Sequence, residues 1–274
     1  MQHFNHIVWN VDPIAFSLGP LEPRWYGILF ASAFLVGYFL MRKMYRAANR
    51  TMEELDQLLT YVMLATVIGA RLGHVLFYDP GFYFSHPFEI IAIWHGGLAS
   101  HGAAIGILLA MYLYTRKVRD MSFLWLADRV GIVVASGGAF IRVGNFINSE
   151  ILGKPSDLPW AVIFKNAPQL TAAQQMTPRH PAMLYEALQC VVIFGILWYV
   201  YKRYKMQPPE GGLFGIFLTL LFGGRFLLEY FKMDQAAFAS GVFSMGQWLS
   251  IPLILYGLWL LFKKANWGSK AVAS

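Results

Sequence analysis

The chain has 274 residues, 57% hydrophobic and only 14% charged, with a formal charge of +7. So apolar a composition excludes an ordinary soluble domain and reads as an all-α polytopic membrane protein. The single cysteine, Cys190, excludes an internal disulfide, and the first residues lack the basic-then-apolar pattern of a cleaved signal peptide.

A crossing helix needs about 20 mostly apolar residues, and residues 25–41 give the first candidate, closed by Arg42, Lys43, Arg46 and Arg50 on an end read as cytoplasmic. Thr51 and Glu54 have capping-box spacing, so a second span, 57–78, follows them and carries Arg71. Asp79, Pro80, Gly81 and Pro87 mark an outer loop before a third span, 90–115, which contains His95 and His101 and ends at Arg116, Lys117 and Arg119. The fourth, 121–141, carries Asp128 beside Arg129, adjacent opposite charges that offset each other.

Residues 142–180 turn polar, too hydrophilic to cross a membrane and long enough for a small external head. Spans 182–201 with Glu186, 213–231 with Arg225 and Glu229, and 244–262 complete the set. Lys202, Arg203 and Lys205 follow the fifth span, and Lys263, Lys264 and Lys270 follow the seventh. Thirteen of the 22 basic residues then lie in the segments read as cytoplasmic, which gives seven spans with the N-terminus outside and the C-terminus inside. The positive charge is thus mainly an orientation signal, and nucleic acid is not an expected partner.

The stretch IRVGNFINSEILG, residues 141–153, places Arg142, Asn145, Asn148 and Glu150 where the fourth span ends. An arginine at such a position needs an anion, so it marks a functional site by default. Guanidinium stays charged when desolvated and grips phosphate or carboxylate with two parallel donors. Arg142 pairs with Glu150, snorkels to headgroups or holds a substrate anion; Arg225 pairs with Glu229 at i,i+4 or does likewise. Arg71 pairs with a lipid phosphate or with Glu186. Around His101 the run WHGGLASHGAAIG reads either as close helix packing or as a substrate groove, while the imidazole could accept a thiol or hydroxyl proton. His95 competes for that role or is simply solvated. Tyr26 is an aromatic-belt anchor or a lipid hydrogen-bond donor. No metal-ligand spacing, P-loop, dinucleotide fingerprint or nucleophile elbow occurs, so no metal or cofactor is expected.

Residues 142–150, Arg-Val-Gly-Asn-Phe-Ile-Asn-Ser-Glu, resemble the signature of the bacterial prolipoprotein diacylglyceryl transferase family. Four blocks agree in order: 24–27, 94–102, 179–186 and 244–252. The resemblance covers nearly the whole chain. It implies a seven-span enzyme of the bacterial inner membrane, with its N-terminus and small head periplasmic, its active site toward the outer leaflet and no cofactor. Such an enzyme moves diacylglyceryl from phosphatidylglycerol to the lipobox cysteine thiol of prolipoproteins and releases glycerol phosphate. It further implies His101, Arg142 and Arg225 as catalytic residues, with Tyr26, Gly102, Asn145, Glu150 and Glu229 binding substrate. This chain departs from the family pattern at Ala103 and Ser149, where glycine is frequent, at His95, where aspartate is usual, and at Leu221, where some members carry tyrosine.

Overall fold

The computed structural model describes residues 5–233 and 243–267; Lys270, counted above as cytoplasmic, lies outside them. In chain order the described residues form β1 (Ile7–Trp9), α1 (Trp25–Ala47), α2 (Met52–Phe77), α3 (Pro80–Ser85), α4 (Ser100–Lys117) and α5 (Phe123–Ile147). Then come β2 (Val162–Phe164), α6 (Ala172–Gln175), α7 (Ala182–Arg203), α8 (Gly212–Leu228) and α9 (Met245–Trp259), the last running on as a π-helical turn, Leu260–Lys264. Among the described residues six helical segments are long and apolar enough to cross a membrane: α1, α2, α5, α7, α8 with its final turn, and α9 with its π turn. Large apolar side chains such as Leu35, Leu64 and Leu188 point outward from these helices. That is the arrangement expected where the solvent is hydrocarbon. The protein is therefore an all-helical, multi-pass membrane protein with almost no sheet.

Two compact units divide the chain: residues 41–127, and residues 1–40 together with 128–274. In the smaller unit α2 and α4 cross at the closest approach that backbone allows. A Cβ on Gly102 would lie 2.2 Å from the Gly69 carbonyl oxygen, and one on Gly106 would lie 2.5 Å from that of Ala65. Small residues spaced by four on both helices permit this contact, as in membrane helix pairs generally. Thr51 caps α2 by accepting from the Glu54 amide at 3.2 Å. Glu54 itself turns to Arg50, at 3.3 Å, instead of reaching back to complete the box.

The expected third span, 90–115, is α-helical only from Ser100. Before it come two 3-10 turns, Pro87–Ile90 and Ile93–His95, and glycines 96 and 97 with φ of +86° and +71°. Arg71 makes this irregular path tenable. Buried at 4% exposure, it donates from Nε to the Ile90 carbonyl at 3.0 Å, from Nη1 to those of Gly96 and Gly97, and from Nη2 to that of Glu89. Irregular backbone in an apolar setting survives where protein groups satisfy it. Neither a lipid phosphate nor Glu186 is needed to explain this arginine.

In the larger unit α8 and α9 cross through Gly215 and Gly257, where a Cβ on Gly215 would come within 2.9 Å of the Gly257 carbonyl. Asp128, fully buried, accepts from the amides of Gly211 at 2.8 Å and Phe214 at 2.7 Å and so caps α8. Offsetting Arg129 is thus not its only task; the Arg129 guanidinium lies over the Tyr201 ring at 5.8 Å. Residues between α5 and α7 build a small layer on β2, which pairs in parallel with β1, Ile7 facing Val162 and Trp9 facing Phe164. Phe146, Leu152, Val162, Phe164 and Met183 form its core, with Trp9 packed against them.

Candidate active site

α5 carries Arg142 and Asn145 on one face, three residues apart. The helix then ends in a tight turn: the Glu150 amide bonds back to the Asn145 carbonyl at 2.9 Å, and Ser149 takes a left-handed φ of +54°. Glycine would reach that conformation without strain. The turn folds Glu150 back over the helix end. Asn145 donates to Glu150 Oε2 at 2.8 Å, Asn148 donates to Glu150 Oε1 at 3.1 Å, and Arg142 Nη1 donates to Asn145 Oδ1 at 3.3 Å. Glu150 therefore holds the two amides, and it is Asn145 that steers Arg142.

The carboxylate paired with Arg142 is Glu186 of α7, with Nε 2.9 Å from Oε2. Neither Glu150 nor snorkelling takes that role. The contact is an ion pair outside hydrogen-bond alignment, so Glu186 Oε2 has charge compensation but no directed donor. The other oxygen of Glu186 receives Lys232 Nζ at 2.5 Å, and the same ammonium lies 3.4 Å from Glu229 Oε2. Glu186 and Lys232 are each 5% exposed. Buried charges persist only when paired in this way.

Glu229 closes α8 and faces the start of α9. Ser244 donates to its Oε1 at 3.2 Å while capping α9 through a full capping box with Gln247. A Cβ on Gly246 would come within 2.7 Å of that oxygen, so a larger residue there would have to displace the carboxylate. Arg225, one turn earlier, does not form the expected i,i+4 pair with Glu229. Among the described residues it has no ion-pair or hydrogen-bond partner. Tyr26, half-buried on α1, lays its ring against Gly144, where a Cβ would stand 2.8 Å from Cδ2.

Of the residues expected from the sequence, Arg142, Asn145 and Glu150 stand in one hydrogen-bonded series, and Glu229 joins Arg142 through Lys232 and Glu186. His101 and Gly102 belong to the smaller unit. His101 is exposed in the first turn of α4, its ring 5.3 Å from that of Phe77 and 5.9 Å from that of Tyr78. Gly102 is buried in the α2–α4 crossing, which gives the glycines of this run a packing role. His95 is exposed and touches Glu89 Oε2 at 2.9 Å. Beside the α2–α4 crossing lies an open apolar groove of about 500 Å³ lined by Leu64, Ile68, Leu72, Ile105 and Leu109.

Lys232 was missed from the sequence, although its i,i+3 spacing from Glu229 was a usable signal. Arg179 was also missed as a structural residue. It is 3% exposed, exchanges backbone hydrogen bonds with Val162 at 2.9 Å, and directs Nη1 to the Gly153 carbonyl at 3.4 Å. Its neighbour His180 meets the Tyr185 hydroxyl at 3.1 Å, and burial lowers the imidazole pKa.

Fold and cluster together define a multi-pass helical membrane protein that sets half-buried Arg142 and buried Lys232 between two carboxylates and, among the described residues, leaves Arg225 without an ionic partner. Residues 13–263 match the family described as prolipoprotein diacylglyceryl transferase. The phosphatidylglycerol–prolipoprotein diacylglyceryl transferase of Tolumonas auensis is 49% identical over 261 residues, 95% of this chain and 98% of that protein. Proteins of the same name from Chloroherpeton thalassium and Porphyromonas gingivalis are 44% and 39% identical over 267 and 269 residues, covering 97% and 94% of both chains respectively. The chain belongs to the prolipoprotein diacylglyceryl transferase family.

Proposed function

We propose that this protein transfers the diacylglyceryl group of phosphatidylglycerol to the lipobox cysteine of a prolipoprotein, the first step of lipoprotein maturation. The observation that carries the reading is the family match across residues 13–263, with the motif at 142–150 tied into a buried charge network. The thiol sulfur attacks the glyceryl carbon that bears the phosphate. A carbon–sulfur bond forms, the carbon–oxygen bond breaks, and glycerol phosphate leaves.

A thiol is mostly protonated at neutral pH, so a base must raise the thiolate fraction. His101 is assigned that task and accepts the thiol proton. The leaving group turns from phosphodiester into phosphomonoester and gains negative charge, which Arg142 and Arg225 stabilise as fixed, desolvated cations. Tyr26, Asn145 and Glu150 orient headgroup and guanidiniums, Glu229 acts through the Lys232 ammonium beside it, and Gly102 lets α4 approach α2. Seven spans, α4 being the shortest, place the N-terminus and the head at 142–180 outside, the basic helix ends inside, and the reaction near the outer leaflet of the bacterial inner membrane. An anion relay through Arg71, Arg142 and Arg225 is the weaker reading, because every hydrogen bond Arg71 makes goes to a backbone carbonyl.

Purified protein given phosphatidylglycerol and a lipobox peptide should release glycerol phosphate when the peptide carries Cys and not when it carries Ser. Equal release with both peptides, or none with either from folded protein, would count against the transferase.

A further inference from the structure

Among the described residues Arg225 has no carboxylate partner, although Glu229 lies four residues downstream, the spacing at which helical ion pairs form. Glu229 is engaged elsewhere: Lys232 Nζ approaches Oε2 at 3.4 Å, Ser244 donates to Oε1 at 3.2 Å, and Arg225 has no ionic partner among the described residues. Lys232 is itself held firmly. Its flanking amides and carbonyls bridge to the strand after the motif, with Lys154 N donating to Phe231 O at 2.9 Å and Met233 N to Leu152 O at 3.0 Å. The same ammonium touches Glu186, the carboxylate partner of Arg142.

We infer that Lys232 is a positioning residue that keeps Glu229 away from Arg225, so that the Arg225 guanidinium stays free for the phosphate of an anionic lipid. Charge supports the assignment. Within this cluster Arg142 and Lys232 balance Glu186 and Glu229, and among the described residues no carboxylate is left for Arg225. Without Lys232, the four-group cluster becomes three groups with a net negative charge, and Arg225, at the i,i+4 spacing from Glu229, is the cation placed to compensate it. The lipid phosphate would then compete with a covalently tethered carboxylate, whose effective concentration is high.

The inference rests on the transferase reading for the identity of the lipid but can be tested apart from it, by titrating the full chain in detergent with glycerol phosphate and following heat or thermal protection. Lys232→Met should weaken binding on the order of 10- to 100-fold, the size typical when a supporting partner of a ligand-binding group is lost. Lys232→Arg should bind nearly as wild type. Adding Glu229→Gln to Lys232→Met should restore most of the affinity, because the competing carboxylate is gone; a residue that mattered only for packing would not be rescued so. Lys232→Gln carries the same expectation as Lys232→Met if the latter does not fold. Unchanged affinity in folded Lys232→Met or Lys232→Gln, failure of the Glu229→Gln rescue, or no binding by wild type would each overturn the inference. Turnover measured in parallel decides separately whether the wild type is a transferase.

Discussion

Arg71 of the smaller unit and Arg142 of the larger are both guanidiniums carried by long apolar helices, yet their partners differ in kind. Arg71 spends its donors on the carbonyls of residues 89, 90, 96 and 97 and lies over the Tyr83 ring at 5.0 Å. Arg142 meets a carboxylate and an amide oxygen, and its carboxylate is shared with a lysine. Carbonyls satisfy the arginine's hydrogen bonds without ionic partners and fix a loop. Carboxylates bring a charge balance that an anionic ligand can alter. A buried arginine in a span is therefore not by itself a sign of function; the chemistry of its partners separates a clamp from a site.

The largest expected effect is on the functional side of that contrast. Arg142→Ala should lower turnover per folded molecule on the order of 10²- to 10³-fold, the loss seen when one donor to a developing anion is removed, and should also lower the unfolding temperature, because buried Glu186 loses its partner. The mirror image is Arg71→Lys. A single ammonium cannot reach four carbonyls, and each one orphaned costs roughly 1–3 kcal/mol, so this variant should unfold at a clearly lower temperature. If Arg71→Lys kept wild-type stability and lost turnover per folded molecule, the contrast would collapse.

Gly69→Val sharpens the same comparison by overfilling the α2–α4 crossing, where even a Cβ would lie 2.5 Å from the Gly102 carbonyl. Overpacking of this kind costs about 1–3 kcal/mol, readable as a lower unfolding midpoint. Asp128→Ala, in the larger unit, should cost more than the roughly 1 kcal/mol of an ordinary cap, because it orphans two amides and removes the carboxylate beside buried Arg129. The smallest effect concerns pH. Burial lowers the His180 pKa, so the unfolded chain binds the proton more readily. Stability from this group should be fully present above the ordinary histidine value of about 6.5 and decline as pH falls below it; His180→Gln should flatten that part of a stability–pH profile.

Local patterns were legible in the sequence because their partners are close in the chain. Arg142, Asn145 and Glu150 meet through helix spacing and one turn, and the Thr51 and Ser244 caps follow from residue type. Pairings across the fold were not legible: nothing near Arg142 points to Glu186, 44 residues later. Near Glu229 two local spacings competed, and the i,i+3 pair with Lys232 forms where the i,i+4 pair with Arg225 does not. The third span was drawn too long because hydropathy runs unbroken past residue 90, whereas Gly96 and Gly97 leave the helical region of backbone space. The strand Ile7–Trp9 is too short for an alternation signal and exists through its pairing with Val162–Phe164.

The most direct test of the two arginines is single-turnover release of glycerol phosphate from phosphatidylglycerol, with a Cys-lipobox peptide in excess, for wild type, Arg142→Lys and Arg225→Lys. If guanidinium geometry stabilises the leaving phosphate, a point charge restores little, and both variants should be slowed on the order of 10²-fold or more. Near wild-type rates for both, in folded protein, would contradict that assignment and return Arg142 to the structural role that Arg71 fills.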